Sequence, residues 1–294
     1  MNFTTSILKP IKRLILPLIP DKTWIKYVFR NANGYNLNLE HPVTFCEKIQ
    51  WLKLYDRRPE YIEMVDKYLA KKYVANKIGE EHIIPTIGVW DRPEDIDFDS
   101  LPNRFVLKTT HNSGGVLICR NKKEFDRADA IRFLNEQLRH EIYYITREWP
   151  YKNVKRRIIA EQFMDTGGSD LTDYKFFCFN GEPLYCQVIA NRSTNETIDF
   201  YDPQWNHQEF NGLQSVGKAA VPQAPPQALD KMLAIARILS NGHVFLRVDL
   251  YDINNKIYFG ELTFYPNSGL GTFTPEIWNK KLGDLINLKP LIHG

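Results

Sequence analysis

An α+β fold with mixed sheets is predicted for this 294-residue chain from three observations. Stretches of helical periodicity are interspersed with paired β-forming runs. Asn180-Gly181 and Asn254-Asn255 each separate two such runs, as the turn of an antiparallel hairpin does. Hydrophobic content of 43% and charged content of 25% are those of a globular chain long enough to build a sizeable core.

The first thirty residues carry Lys9, Lys12, Arg13, Lys22, Lys26 and Arg30 against one acid, Asp21. Their longest apolar run, residues 14–19, contains Pro17 and is far too short to span a bilayer, and no small-residue cleavage site follows. Two readings stay open. The segment packs on the body with its lysines solvated, or residues 1–30 make a peripheral contact with an anionic membrane surface.

Residues 45–55 and 61–78 read as helices. In the second, Ile62, Val65, Leu69, Tyr73 and Val74 share a face, and Gly79 stops it. "HIIPTIGVW" reads as a short strand and "DRPEDIDFDSLPNR" as an acidic, proline-punctuated loop. Residues 105–108 and 116–119 form a hairpin around a glycine turn, and residues 123–140 a helix. "RRIIAEQFMD" is a strand broken by "TGGSD". "DYKFFCFNGEPLYCQVIA" is a hairpin, residues 228–239 a helix, and "HVFLRVDLYDINNKIYFGELTF" a further hairpin. A helical pattern closes the chain over 277–286.

Net charge is +3, from 38 basic and 35 acidic residues, without the concentrated basic face of a nucleic-acid binder. Cys46, Cys119, Cys178 and Cys186 form neither a C-x-x-C pair nor a zinc spacing, so a cytoplasmic protein is expected. No Ser/His/Asp or Cys/His nucleophile signature is present.

Three stretches could carry chemistry. In "FLRVDLYDINNKIYFGELTF", Arg247 and Asp249 face one side of a strand, and Glu261 and Thr263 share a face on the returning one. If the hairpin brings Asp249 opposite Glu261, two carboxylates converge beside an arginine. Such a pair suits a magnesium ion bound to phosphate, and equally a salt-bridge network on a solvated face. In "FVLKTTHNSGGVLICR", Lys108 ends an apolar strand and needs a charged partner or a route to solvent. Gly114 and Gly115 would let backbone N–H groups approach phosphate closely, although the loop matches no established phosphate-binding signature. In "IIAEQFMD", Glu161 follows an apolar strand, and Asp173 and Lys175 share a face of the next.

The order "VDKYLAKKY", "FVLKTTHNSGG", "IIAEQF", "DYKFF", "LRVDLYD…FGELTFYPNSG" resembles the ATP-grasp superfamily, and within it the TupA-like branch named for a teichuronopeptide biosynthesis protein. The resemblance spans roughly residues 45–279. It implies two α+β subdomains clasping ATP and Mg2+. Lys67 and Lys108 would contact phosphates, and His111, Ser113, Gly114 and Gly115 would belong to a flexible lid. Glu161, Phe163 and Met164 would line the adenine pocket, and Asp173 would meet the ribose hydroxyls. Lys175 would meet phosphate or substrate, Arg247 the transferred phosphate, and Asp249 and Glu261 the metal. Where many ATP-grasp enzymes have E-x-N, this chain has Glu261-Leu262-Thr263, and Asn267 is the candidate replacement ligand.

The implied activity is carboxylate–amine ligation through an acyl phosphate, in bacterial surface-polysaccharide biosynthesis. The partners would be a small-molecule or polysaccharide-precursor carboxylate, such as a uronic acid, and an amine such as an amino acid. A glycosyltransferase using the Asp97-Phe98-Asp99 triplet, and a non-catalytic nucleotide-binding protein, are the competing readings. The expected division is a basic helical segment over 1–60, a first subdomain over 61–165 and a second over 166–294.

Overall fold

The computed structural model describes residues 15–165, 167, 170–214 and 216–292. The first helix, α1 (Asp21–Asn33), ends at Gly34, whose φ of 78° takes the left-handed turn that stops it. It buries Ile25 and Phe29, and the Trp24 indole donates to the Ile145 carbonyl at 2.8 Å. Residues 21–33 therefore pack on the body. Residues 1–14, on which much of the predicted membrane contact falls, lie outside the described residues. No helix among the described residues is long and apolar enough to cross a membrane.

Helix α2 (Phe45–Tyr55) opens with a capping box: the Thr44 hydroxyl accepts from the Glu47 N–H, and the Glu47 carboxylate accepts from the Thr44 N–H. The single helix predicted over 61–78 is instead two, α3 (Glu60–Val65) and α4 (Leu69–Ile78). Asp66 makes the break. Its Oδ1 accepts the N–H groups of Tyr68 and Leu69 at 2.8 and 3.2 Å, a local alternative to helical bonding. Its Oδ2 accepts from Arg157 at 2.7 Å. The Lys67 N–H leaves the helix and donates to the Thr110 carbonyl at 3.0 Å. The apolar positions stay in phase across the break, so periodicity does not reveal it.

Strands β1 (Thr86–Trp90), β2 (Phe105–Thr109) and β3 (Val116–Cys119) come next, then helices α5 (Arg127–Leu138) and α6 (Ile142–Thr146), then β4 (Ile158–Gln162). The strands form an antiparallel sheet in the order β1-β4-β2-β3. One face packs Phe105, Leu107, Ile158 and Ala160 against Ala130 and Leu134 of α5. Alternation turns Val106, Lys108, Val116, Ile118 and Glu161 to the other face.

The second sheet comprises β5 (Asp173–Phe179), β6 (Glu182–Ala190), β7 (Thr197–Tyr201), β9 (Phe245–Ile253) and β10 (Lys256–Thr263), ordered β10-β9-β5-β6-β7. Both predicted Asn-containing turns are in place, with Asn180, Asn254 and Asn255 at positive φ. Between β7 and β9 lie the short β8 (Asn211–Gly212), paired with β11 (Phe273–Thr274), and helix α7 (Leu229–Ser240). Helices α8 (Ile277–Asp284) and α9 (Lys289–Ile292) close the chain. Neither β7 nor the β8–β11 ribbon was expected from the sequence.

The larger core joins Phe177, Phe179, Phe245 and Leu246 of this sheet to Phe45, Ile49, Tyr61, Met64 and Val74 of the N-terminal helices. Residues 60–78 thus belong to the second sheet's core, and the division expected at residue 61 does not follow the packing. The four cysteines are unpaired and buried.

Replacing Asp66 by Ala removes the helix break's hydrogen bonds and leaves the largely buried Arg157 guanidinium without its carboxylate. Urea unfolding of Asp66→Ala is expected to show a loss of about 3 kcal/mol. A loss under about 1 kcal/mol would mean that Asp66 does not hold the break.

Candidate active site

Each sheet carries a group of charged side chains on one face; on the second sheet it is the face whose Phe177, Phe179 and Phe245 pack on Phe45. On the first, Glu161 is almost fully buried and stands between two lysines: Lys108 Nζ is 2.5 Å from its Oε2, and Lys71 pairs with its Oε1. Burial pushes the Glu161 carboxyl up, but the two ammonium groups outweigh it and hold it below its usual range. Lys71, one turn beyond Lys67 on α4, was not singled out in the sequence. Beside this triad Val106, Val116 and Ile118 form an apolar strip, with Ile118 52% exposed. Phe163 lies just past β4 with the guanidinium groups of Arg104 and Arg120 within 5.1 and 5.5 Å of its ring centre, and Met164 next to it is half-buried.

The turn between β2 and β3 is anchored at one end and open at the other. Thr109 Oγ1 donates to Asn112 Oδ1 at 2.5 Å, Asn112 Nδ2 donates to Gln137 Oε1 at 3.1 Å, and Lys67 donates to the Asn112 carbonyl. His111 is buried, with Nε2 3.2 Å from the His140 carbonyl oxygen. Only Ser113 and Gly114 form an exposed tip. Gly115 has φ 61°, and a Cβ there would collide with Thr109 and Asn112. The glycine pair is thus needed for closing the turn as well as for leaving the tip bare.

On the second sheet the strand register sets Asp249 opposite both Lys175 and Glu261. Asp249 is 1% exposed. Its oxygens accept from Arg247 Nε at 2.7 Å and Nη2 at 2.8 Å, and it also pairs with Lys175. Arg247 Nη2 further donates to Glu261 Oε1 at 2.8 Å and Thr263 Oγ1 at 3.0 Å. Asp173 pairs with Lys175 at 3.3 Å and with Arg192 at 2.7 Å; Arg192, too, escaped sequence reading.

Burial raises the Asp249 carboxyl against the pull of Arg247 and Lys175. Glu261 behaves oppositely. Burial pushes it up, but Lys175, Arg247 and Lys67 together hold it at about 2. Its side chain keeps 47% of its surface open. Water at that open surface screens the charges, so the direction of the shift is firmer than its size.

Lys67, set free by the helix break, joins the two groups. Burial pulls its ammonium below the usual value, Glu261 on one sheet and Glu161 on the other pull it back, and Lys108 adds to the lowering. Lys67 is thus coupled electrostatically to a carboxylate of each group, Glu261 on one sheet and Glu161 on the other. Magnesium is commonly held by one or two carboxylates plus substrate phosphates rather than by an all-protein cage. The Asp249–Glu261 pair supplies hard oxygens of that kind. No group of three or more His, Cys, Asp or Glu that could hold a metal occurs among the described residues.

Thr263 lies inside this network, its hydroxyl donating to Glu261 Oε1 at 3.1 Å. Asn267, the expected replacement ligand, sits at φ 45° in the turn after β10 and donates its amide to the Leu213 carbonyl at 2.7 Å. The structure brings together the other predicted residues of the second sheet but turns the Asn267 amide nitrogen to this separate partner. The Asp97-Phe98-Asp99 triplet has structural roles. Asp97 accepts the N–H groups of Asp99 and Ser100, Phe98 is buried, and Asp99 pairs with Arg127 at 2.5 Å. It lends no support to a transferase.

A family model described as "TupA-like ATPgrasp" matches residues 47–287. No curated protein matches the chain. Among solved structures, the chain is similar to D-alanine–D-alanine ligase from Helicobacter pylori, at 18% identity over 76% of this chain and 62% of that one, TM-score 0.44. The Bacillus anthracis D-alanine–D-alanine ligase complexed with ATP is 17% identical over 78% and 65%, TM-score 0.44. The ATP-grasp ligase PsnB complexed with minimal precursor, Mg and ADP is 10% identical over 74% and 57%, TM-score 0.39. The chain spans less than two thirds of the length of these three structures.

The depressed Glu261 carboxyl makes a pH prediction. A group held at about 2 when folded, against 4.5 ordinarily, adds stability that is present above 4.5 and lost as pH falls toward 2. Across that window the melting temperature of the parent should fall more steeply than that of Glu261→Gln. Parallel melting curves would show that Glu261 is not charge-stabilised in the fold.

Proposed function

This chain belongs to the TupA-like ATP-grasp family, and from that premise we propose that it is an ATP- and magnesium-dependent ligase joining a carboxylate to an amine. One arrangement carries the reading: Lys67 holds the turn that follows Lys108 on the first sheet, and Lys175 and Arg247 converge on Asp249 of the second. Cations from separate elements converging on one region are what a triphosphate needs.

Lys67 and Lys108 would balance the phosphate charge, with Glu161 holding Lys108 and Lys71 in place. The tip of Ser113 and Gly114 would cover the phosphates. Phe163, Met164 and the apolar strip of Val106, Val116 and Ile118 would take the base, and Asp173 the ribose side. Asp249 and Glu261 would hold magnesium, which when bound supplies polarisation of the phosphate oxygens. Arg247 is tied to both carboxylates, so its guanidinium is fixed before any phosphate arrives, a preorganised source of positive charge.

In the reaction, a substrate carboxylate oxygen attacks the terminal phosphorus and the bond to ADP breaks. The amine then attacks the acyl carbon, inorganic phosphate leaves and a proton is released. Arg247 and Lys175 would offset the charge on the transferred group, and the closed tip would keep water from the acyl phosphate. No nucleophile from the protein is required. A uronic acid as the carboxylate, an amino acid as the amine and a role in bacterial surface-polysaccharide biosynthesis follow from the family alone.

Hydroxylamine is the direct test, since it intercepts an acyl phosphate as a hydroxamate. With ATP, magnesium and a uronic acid pool, the parent should form hydroxamate and ADP in step, and Glu261→Gln should lower both at least about a hundredfold. ADP without hydroxamate would overturn the acyl-phosphate route.

Lys108→Ala should weaken ATP binding about tenfold or more, with a fall in melting temperature as well because Glu161 is left to Lys71 alone. Unchanged affinity with a lowered melting temperature would make Lys108 a structural partner of Glu161 only.

A further inference from the structure

Helix α1 buries one side on the body and leaves the other uncovered among the described residues. Close to that free side Leu18 is 80% exposed, Tyr27 61% and Ile145 60%, and Ile15 is exposed as well. Apolar residues scattered singly over a surface need no explanation, but these are neighbours. Trp24 donates its indole N–H to the Ile145 carbonyl at 2.8 Å, and the Trp24 and Tyr27 ring centres are 5.6 Å apart. The turn at residues 16–18 is tied to the end of α6 by Arg147, whose guanidinium donates to the Leu16 and Ile19 carbonyls at 2.6 and 3.0 Å. Arg147 is buried, so Leu18 is presented to solvent from an anchored backbone.

Positive charge runs beside these residues. Lys22, Lys26 and Arg30 are spaced four apart, so they form one exposed stripe along α1. None of them has an ion-pair partner among the described residues. Asp21, the one acid in the first thirty residues, is turned to the body. It pairs with Arg57 at 2.7 Å and Arg147 at 3.5 Å, and accepts the Tyr143 hydroxyl at 2.9 Å. The stripe is therefore not balanced by its own helix. The sequence ahead of it has the same character, with Ile7, Leu8 and Ile11 beside Lys9, Lys12 and Arg13 and no acid.

An occupant of this face has to take the cations and the apolar side chains together. A second copy of the chain, meeting the same face about a two-fold axis, would set cations against cations. Residues 1–14 laid over it would add Lys9, Lys12 and Arg13 to a face that is already positive. A nucleic-acid backbone would answer the cations and leave Leu18 and Ile145 with nothing apolar to meet. A bilayer with anionic headgroups offers negative charge at its surface and hydrocarbon just beneath. Tryptophan and tyrosine are enriched at that boundary.

We propose that Ile15, Leu18, Tyr27 and Ile145, flanked by Lys22, Lys26 and Arg30, form a docking face for an anionic phospholipid surface. The sequence marks residues 1–30 as basic. The structure adds Ile145, contributed by α6, and identifies the free side of α1. The docking face does not depend on the ligase reading, and either can fail without the other.

Co-sedimentation of the full chain with sucrose-loaded vesicles tests the proposal. Vesicles of phosphatidylcholine alone are compared with vesicles of phosphatidylcholine and phosphatidylglycerol in equal parts. The parent should bind the mixed vesicles, bind phosphatidylcholine at least about tenfold more weakly, and lose affinity as salt is raised. The triple variant Lys22→Glu/Lys26→Glu/Arg30→Glu should lose about a hundredfold or more. Leu18→Ser/Ile145→Ser should lose about tenfold with every charge kept. ATP affinity should be unchanged in both. Leu18 stands furthest into solvent, so Leu18→Ser alone keeps the test open if the double variant melts lower. Absence of vesicle binding by the parent overturns the proposal, as does a triple variant that binds like the parent. Parent-like binding by the serine variants would show adsorption by charge alone and overturns it too. A parent that ignores vesicles and sediments as a dimer, which Leu18→Ser breaks, would make the face a self-association surface instead.

Discussion

A carboxylate with almost no access to water has to be matched by positive charge held in place, and Asp249 is such a group. Arg247 reaches it from two residues back on the same strand face, and Lys175 from the neighbouring strand. Those two cations in turn gather Asp173, Glu261 and Thr263 around them. With each charge partnered, the site can remain enclosed and ordered. The arrangement is nearly neutral within itself, and further cations stand close by from elsewhere in the chain.

They come from the first sheet and from the helix break. Lys108 is held by Glu161, a buried acid that also engages Lys71. Lys67 is delivered by Asp66, which stops one helix and starts the next. A continuous helix there would hold the Lys67 N–H in the helical ladder rather than on the Thr110 carbonyl. The same few residues thus tie the N-terminal helices to the turn between β2 and β3, where Lys67 also holds the Asn112 carbonyl. The positions of that turn and of the Lys67 ammonium are thereby linked.

Much of this was legible in the residues. Asparagine-containing turns fixed two hairpins, because positive φ is cheap for few residue types. Apolar runs marked β2, β3 and β4, and Lys108 and Glu161 stood out as charges in apolar strands. What escaped were partners contributed from afar: Lys71 against Glu161 and Arg192 against Asp173. Each is an unremarkable residue in its own stretch of sequence and acquires a role only from a neighbour tens of residues away.

The hairpin of β9 and β10 separates the two kinds of knowledge most clearly. The sequence by itself determined that an arginine and an aspartate share one strand face, that a glutamate and a threonine share one on the returning strand, and that a turn joins them. It did not determine that the two faces are the same. Counting back from the turn in strict register, Lys256 pairs with Ile253 and Phe259 with Leu250, which would set Gly260 opposite Asp249. The register shifts between Phe259 and Glu261, so Glu261 takes that place instead. Side chains alternate with a period of two, so a one-residue slip moves every later side chain to the other face. Gly260 accommodates the bulge while Ile257 and Phe259 before it and Leu262 and Phe264 after it all stay buried. Packing of those four apolar residues against the larger core selects the slipped register, and only the folded protein contains that core.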